Sequence, residues 1–366
     1  MGTTVMDRPT TGAIKGVALI CMFIHHFFTF PEWYISGISY PELEGFAEFF
    51  CEPMKICVPT FAFLTGYVYS FAKKKSLGYS IQKITEFLTT YWTVYLVLLT
   101  VAIALGCHQF GFSRFVYELA GIYKPIMIFC WYVHFYCTSM LLLPVLNRFS
   151  RGTLFGDFLL FLVLPSVMIS RLMPAISSSV LVELLTALSE WFPCTASGYL
   201  VAKYDLFQRT FGRIAPKNSN RMIRYLYLLG LVCLAALGRN FAPMLFLFKM
   251  DTQWTMDIVY AALFVYAWDQ LLQMCRNTPV FSLLGKIGGK STIMWFVHCM
   301  FFNVCSSKTQ MLLYWPGNPL LELLNGLLIC YLASRILSVP VGYLQTLRKK
   351  VFGLLQTPFV RHENAC

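Results

Sequence analysis

Apolar residues recur along this chain in windows of about 20, with charge, proline and glycine concentrated between the windows. Ten such windows stand out, at 14–30, 55–72, 82–106, 126–146, 155–173, 180–200, 225–247, 254–273, 291–307 and 320–342. About 20 apolar residues is the length a helix needs to cross the ~30 Å hydrocarbon of a bilayer. The pattern therefore predicts an all-α polytopic membrane bundle of about ten transmembrane helices. The fifth window is the weakest, being short and running into Pro165, Arg171 and Pro174. The longest polar linker, 203–224, is too short for a second fold, so one integral membrane domain over 1–366 is expected.

Composition agrees. Of 366 residues, 57% are hydrophobic and only 13% charged, about half the charge of a soluble domain. The net charge of +12 would suit a nucleic-acid partner, but its distribution argues against one. With the N-terminus inside, 22 of the 29 lysines and arginines fall on the cytoplasmic side, and only Lys55, Arg114, Lys124, Arg171, Arg239, Lys249 and Lys308 fall outside. Both termini are thus expected in the cytoplasm and the chain in the cell membrane. The basic 203–224 linker has two readings, attraction to anionic lipid or part of a rim for a polyanion. Thirteen scattered cysteines with no C-x-x-C pair point to packing, not to a metal site or disulfides. The first window has no small-residue cleavage pattern at its exit and is expected to stay as a helix.

That window holds KGVALICMFIHHFF (15–28), which opens on a lysine and ends near two adjacent histidines. Lys15 and His26 are eleven positions apart, so they lie within about 20° of one helix face and roughly 16 Å apart along the axis. Leu19 and Met22 share the stripe, while His25 is turned about 100° away. Ionisable groups at that depth face a cavity or a bundle interior and are candidate functional residues; the plainer reading is a hydrogen bond to a neighbouring helix. An imidazole, titrating near pH 6.5, suits a general base that activates a hydroxyl or amine. His26 is the candidate base, with His25 in support. Ser291, Trp295 and His298 share a later helix face. Either Trp295 stacks on an adenine or acceptor with His298 as a substrate contact, or the face makes an interhelical hydrogen bond and packs in the core. Glu32 and Trp33, just beyond His26, are candidate acceptor contacts. His134, among the aromatics of WYVHFY (131–136), either helps hold a sugar by stacking or takes a belt-type interfacial place.

These residues bear a resemblance. The first helix resembles that of the membrane-bound acyltransferase-3 family, whose hallmark is a basic residue, ten intervening residues and a histidine, here Lys15 and His26. VPTFAFLTGY (58–67) is similar to the family's block ending in Ser-Gly-Tyr, with Thr65 for serine. FPCTASGYLVAK (192–203) and GKSTIMWFVH (289–298) are similar to its mid-chain Phe-Pro…Gly-Tyr and late Gly-Lys-x-Ser…Trp…His blocks. The resemblance implies an enzyme that moves an acyl group, usually acetyl, from cytoplasmic acyl-CoA to a hydroxyl of a carbohydrate or other envelope acceptor. It implies His26 as the base, and Lys15 as a contact to the CoA phosphates or a helix-positioning group. One block departs: the family's Arg-x-x-Arg before the third helix is matched here by KITEFLTTYW (83–92), with Lys83 first and Glu86 second. Glu86 would repel a phosphate unless paired with a neighbouring lysine. Lys73, Lys74 and Lys75 just upstream either supply the missing charge or only set topology.

No G-x-S-x-G elbow, P-loop, G-x-G-x-x-G or H-E-x-x-H occurs. The rival reading is a transporter or exporter of a glycan or small metabolite, with the buried histidines as a proton relay. No inverted repeat or pair of interrupted helices supports it.

Overall fold

The computed structural model describes residues 6–30, 47–122, 124, 126–129, 131–210, 220–241, 254–302 and 305–360. Glu32 and Trp33 lie outside these. Every regular element among the described residues is helical. In chain order the longer ones are α1 (Arg8–Phe28), α2 (Cys57–Ser70), α3 (Leu77–Ala104), α4 (Phe112–Leu119), α5 (Trp131–Arg148), α6 (Leu154–Ala175), α7 (Ser179–Lys203), α8 (Arg221–Phe241), α9 (Trp254–Met274), α10 (Pro279–Gly288), α11 (Ser291–His298), α12 (Ser306–Tyr314) and α13 (Pro319–Val360), with a single helical turn at Leu206–Arg209 after α7. Short 3-10 and π turns over Ala47–Ile56 lead into α2.

Helix starts follow from local chemistry. Asp7 caps α1 by accepting the Thr10 amide at 2.8 Å, with proline in the first turn. Ser76, Ser178 and Thr278 cap α3, α7 and α10 in the same way. The Asp7 carboxylate also pairs with Arg276 at 2.5 Å. Burial pushes this carboxyl up, but the bonds from Thr10 and Arg276 outweigh burial and hold it below its ordinary 3.8.

Five helices among the described residues are long and apolar enough to cross a membrane: α1, α3, α6, α8 and α13. The other expected windows also form helices, but none meets both conditions. Two are too short: α2 has 14 residues, and α11 gives way after His298 to a 3-10 turn over Cys299–Phe301. Three are too polar. These are α5, with His134 and Pro144; α7, with Glu183 and Glu190; and α9, with Asp257 and Asp269. Several of these polar groups find partners inside the protein. Asp257 pairs with Arg239 of α8 at 2.8 Å, and Asp157 of α6 pairs with Lys203 of α7 at 2.6 Å. The chain is thus a multi-pass membrane protein whose inner helices are read poorly by hydropathy alone.

Of the five, α1 is the most enclosed, with 72% of its apolar window buried against 17–39% for the others. Two glycine seams set its surroundings. A Cβ on Gly16 would stand 2.2 Å from the Leu284 carbonyl oxygen, and one on Gly288 would stand 1.8 Å from that of Gly12, so α1 and α10 meet backbone to backbone. Likewise a Cβ on Gly66 would fall 1.7 Å from the Thr195 oxygen and one on Gly198 2.0 Å from the Phe63 oxygen, locking α2 to α7. The α1 seam lies roughly 80° round the helix from the Lys15–His26 face, leaving that face clear.

Candidate active site

The Lys15–His26 face opens onto a cavity of about 380 Å³. Lys15, Met22 and His26 line it from α1, Lys83, Glu86 and Thr90 from α3, Tyr132 and Tyr136 from α5, and Ser291, Thr292 and Trp295 from α11. Residues of α2, including Thr65, complete the wall. The two positions on which the sequence pattern turns therefore share one chamber, as their spacing on a single helix face requires.

One end of the chamber is charged. Lys83 and Glu86 form an ion pair of 2.8 Å, so the carboxylate that stands in place of a family arginine is neutralised by the lysine three residues before it. The first turns of α3 are braced by the far part of α13: Gln345 donates to the Thr90 hydroxyl at 3.2 Å, and Arg348 donates to the Gln82 carbonyl and the Thr85 hydroxyl at 3.0 Å. Lys73 and Lys74 lie exposed in the loop before α3 and do not line the cavity.

The other end is built of rings. His26 Nδ1 lies 2.8 Å from His298 Nε2, and the two imidazole planes are within 7° of parallel. His298 is fully buried, and its Nδ1 meets the Trp295 carbonyl oxygen one turn back on α11. Phe129 lies parallel over both imidazoles, 4.1 Å from His26 and 5.1 Å from His298 between ring centres. Trp295 stands edge-on to Tyr132 at 4.8 Å. His298 is thus placed behind His26 instead of among the cavity-lining residues.

Partner chemistry assigns the protons. A carbonyl oxygen only accepts, so His298 Nδ1 carries the hydrogen and donates it to Trp295. Neutral His298 then offers an Nε2 lone pair, which His26 Nδ1–H fills. In neutral His26 the remaining basic atom is Nε2.

His25 faces elsewhere. Its Nδ1 is 3.2 Å from the Cys51 carbonyl and the Thr29 hydroxyl, and 3.5 Å from Glu52. It does not line the cavity. Sequence reasoning missed Phe129, Tyr132 and Tyr136. It weighed the aromatic segment 131–136 through His134, whose Nε2 instead meets the Ala120 carbonyl at 2.6 Å. The density of rings there was the available signal.

A family model described as an acyltransferase domain matches residues 12–339, a span that contains every wall of the cavity. Neither the curated proteins nor the solved structures yielded a match. With the match covering nearly the whole chain and the fold an assembly of apolar helices, the protein belongs to the membrane-bound acyltransferase-3 family and is an integral membrane acyltransferase.

Proposed function

We propose that the protein transfers an acyl group, acetyl in the simplest case, from cytoplasmic acyl-CoA to a hydroxyl of a carbohydrate or other envelope acceptor. One observation carries this reading: Lys15 and His26 line the same chamber, a lysine toward one end and a histidine with a basic Nε2 at the other. A chamber of about 380 Å³ lies at the small end of ligand pockets, which run from about 300 to 1,000 Å³. It suits the acyl-pantetheine arm of the donor, with the nucleotide phosphates held at the mouth by Lys15 and Lys83. The Lys15 end then faces the cytoplasm with both termini, and the chain resides in the cell membrane. Lys73 and Lys74 add long-range attraction there. Glu32 and Trp33, next along the chain from the His26 end, contact the acceptor, and Trp295 stacks on a substrate ring.

In the transfer step, His26 Nε2 takes the acceptor hydroxyl proton as the oxygen attacks the thioester carbonyl carbon. The C–S bond then breaks, and the departing CoA thiolate collects the proton from Nε2. While the proton sits on His26, Phe129 presents its π face to the imidazolium, an interaction of about 0.5–2 kcal/mol in a desolvated site.

The test is purified protein with labelled acetyl-CoA. Wild type binds it and turns it over, by transfer or slow hydrolysis, and His26→Ala loses turnover. Protein that neither binds nor consumes the donor sinks the proposal, and proton-coupled uptake of solute into sealed vesicles would replace it with the transport reading.

A further inference from the structure

We propose that His298 is a positioning residue: it holds His26 in the tautomer and orientation that present Nε2 as the base. The inference rests on the reading of His26 as that base, and it gives His298 a role distinct from substrate contact. Three observations carry it. The first is the chain of contacts Trp295 O, His298, His26, in which each member fixes the proton of the next. The second is the complete burial of His298, which leaves its ring no solvent partner and keeps it neutral behind His26. The third is the parallel setting of the rings. Two imidazoles within 7° of each other, under one phenyl ring parallel to both, cannot rotate independently.

The arrangement resembles a catalytic dyad held by a third group, except that the third group is a backbone carbonyl and the orienting member is itself a histidine. Without His298, His26 Nδ1 loses the lone pair that holds its proton there, and a proton on Nε2 would block that atom from accepting one from the acceptor. The place where the α11 helix breaks has a purpose on this reading. His298 is the last residue of α11, and the 3-10 turn over Cys299–Phe301 begins directly after it. The ring thus sits at a fixed helix end, braced by its own chain.

Two variants separate positioning from packing. His298→Gln keeps an acceptor oxygen where Nε2 stood, while His298→Leu keeps apolar bulk and removes the acceptor. With acetyl-CoA as donor, His298→Leu is expected to lose about 10–100-fold in kcat with KM for acetyl-CoA within twofold, and His298→Gln to recover most of the loss. A second readout does not depend on turnover. In 15N-histidine-labelled protein, with the His26 signals assigned by subtraction of His26→Ala, His26 Nδ1 is protonated in wild type and His298→Gln, and the proton is shared between both nitrogens in His298→Leu. If Leu and Gln variants of equal thermal stability lose kcat equally, or if His26 carries its proton on Nε2 in wild type, the inference is overturned. Donor turnover absent from wild type while the nitrogen pattern holds would instead count against the proposed function alone.

Discussion

At the His26 end of the chamber, three rings on short tethers hold one another: His26, His298 and Phe129 lie with ring centres 4.1–5.1 Å apart and nearly parallel. At the Lys15 end the polar groups sit on long, rotatable side chains, and the closest contact between them is a half-exposed Lys83–Glu86 pair. Chemistry needs reacting atoms held to fractions of an ångström. Grip on a flexible, multiply charged donor needs charge that can follow it. The two ends are therefore expected to fail differently, one in kcat and the other in KM.

The largest effect expected is on the ring end. His26→Ala should cut kcat by about 10²–10⁴ while leaving KM for acetyl-CoA within about threefold, whereas His25→Ala, facing Cys51 and Glu52, should lose no more than about tenfold. Steady-state kinetics on the two purified variants decides this, and equal losses would break the distinction between the two histidines. At the charged end, Lys15→Ala should raise KM for acetyl-CoA about tenfold, the size of one charge-assisted bond of roughly 1.5 kcal/mol, with kcat changed less than threefold. Aggregated protein in place of a raised KM would mean that Lys15 serves topology. Glu86→Gln frees Lys83 from its partner and should lower KM about two- to fivefold, while Lys73→Ala and Lys74→Ala should stay within twofold. A rise in KM for Glu86→Gln would show the carboxylate itself to be a binding group.

The smallest effect concerns the foot of α1, below Lys15. Asp7 titrates below its ordinary 3.8, so its bonds to Thr10 and Arg276 stabilise the fold at pH above 3.8, and that contribution is lost as the pH falls through the lower folded value. The pair is half-exposed, so the effect is modest. Thermal unfolding of Asp7→Asn, which keeps a capping side chain, should show less loss between pH 4 and 2 than wild type. Parallel curves would mean that the Arg276 pair contributes nothing.

What could be read from the sequence follows how local each feature is. That Lys15 and His26 face one way is settled by helix periodicity inside a single segment, and the chamber follows that face. The pairing of Glu86 with Lys83 is also local, three residues apart. His298 could be placed on a face with Ser291 and Trp295, but its contact with His26 joins positions 272 residues apart, and no periodicity reports it. Phe129 was invisible for the same reason: a stacking ring among many phenylalanines has no sequence mark of its own. The ten apolar windows all became helices, and hydropathy separates the outward α6 from the more polar α7, but it does not give the reason: the second half of α7 is enclosed by protein. Its polar residues answer to partners such as Asp157 and Asn147, far off in sequence.

The reciprocal seam between α2 and α7 bears on which substrates the chamber accepts. Backbone rests on backbone at both Gly66 and Gly198, so those helices move as one plate with no side-chain cushion to compress. A longer acyl chain gains no room on that side. Room has to come from walls built of side chains, such as Tyr136 and Phe87, which meet ring against ring at 4.5 Å and, unlike a glycine seam, can swing aside. On the proposed acyl-CoA reading, side-chain walls such as these rings on α3 and α5 would set acyl length, adjustable one residue at a time while the glycine seam stays fixed.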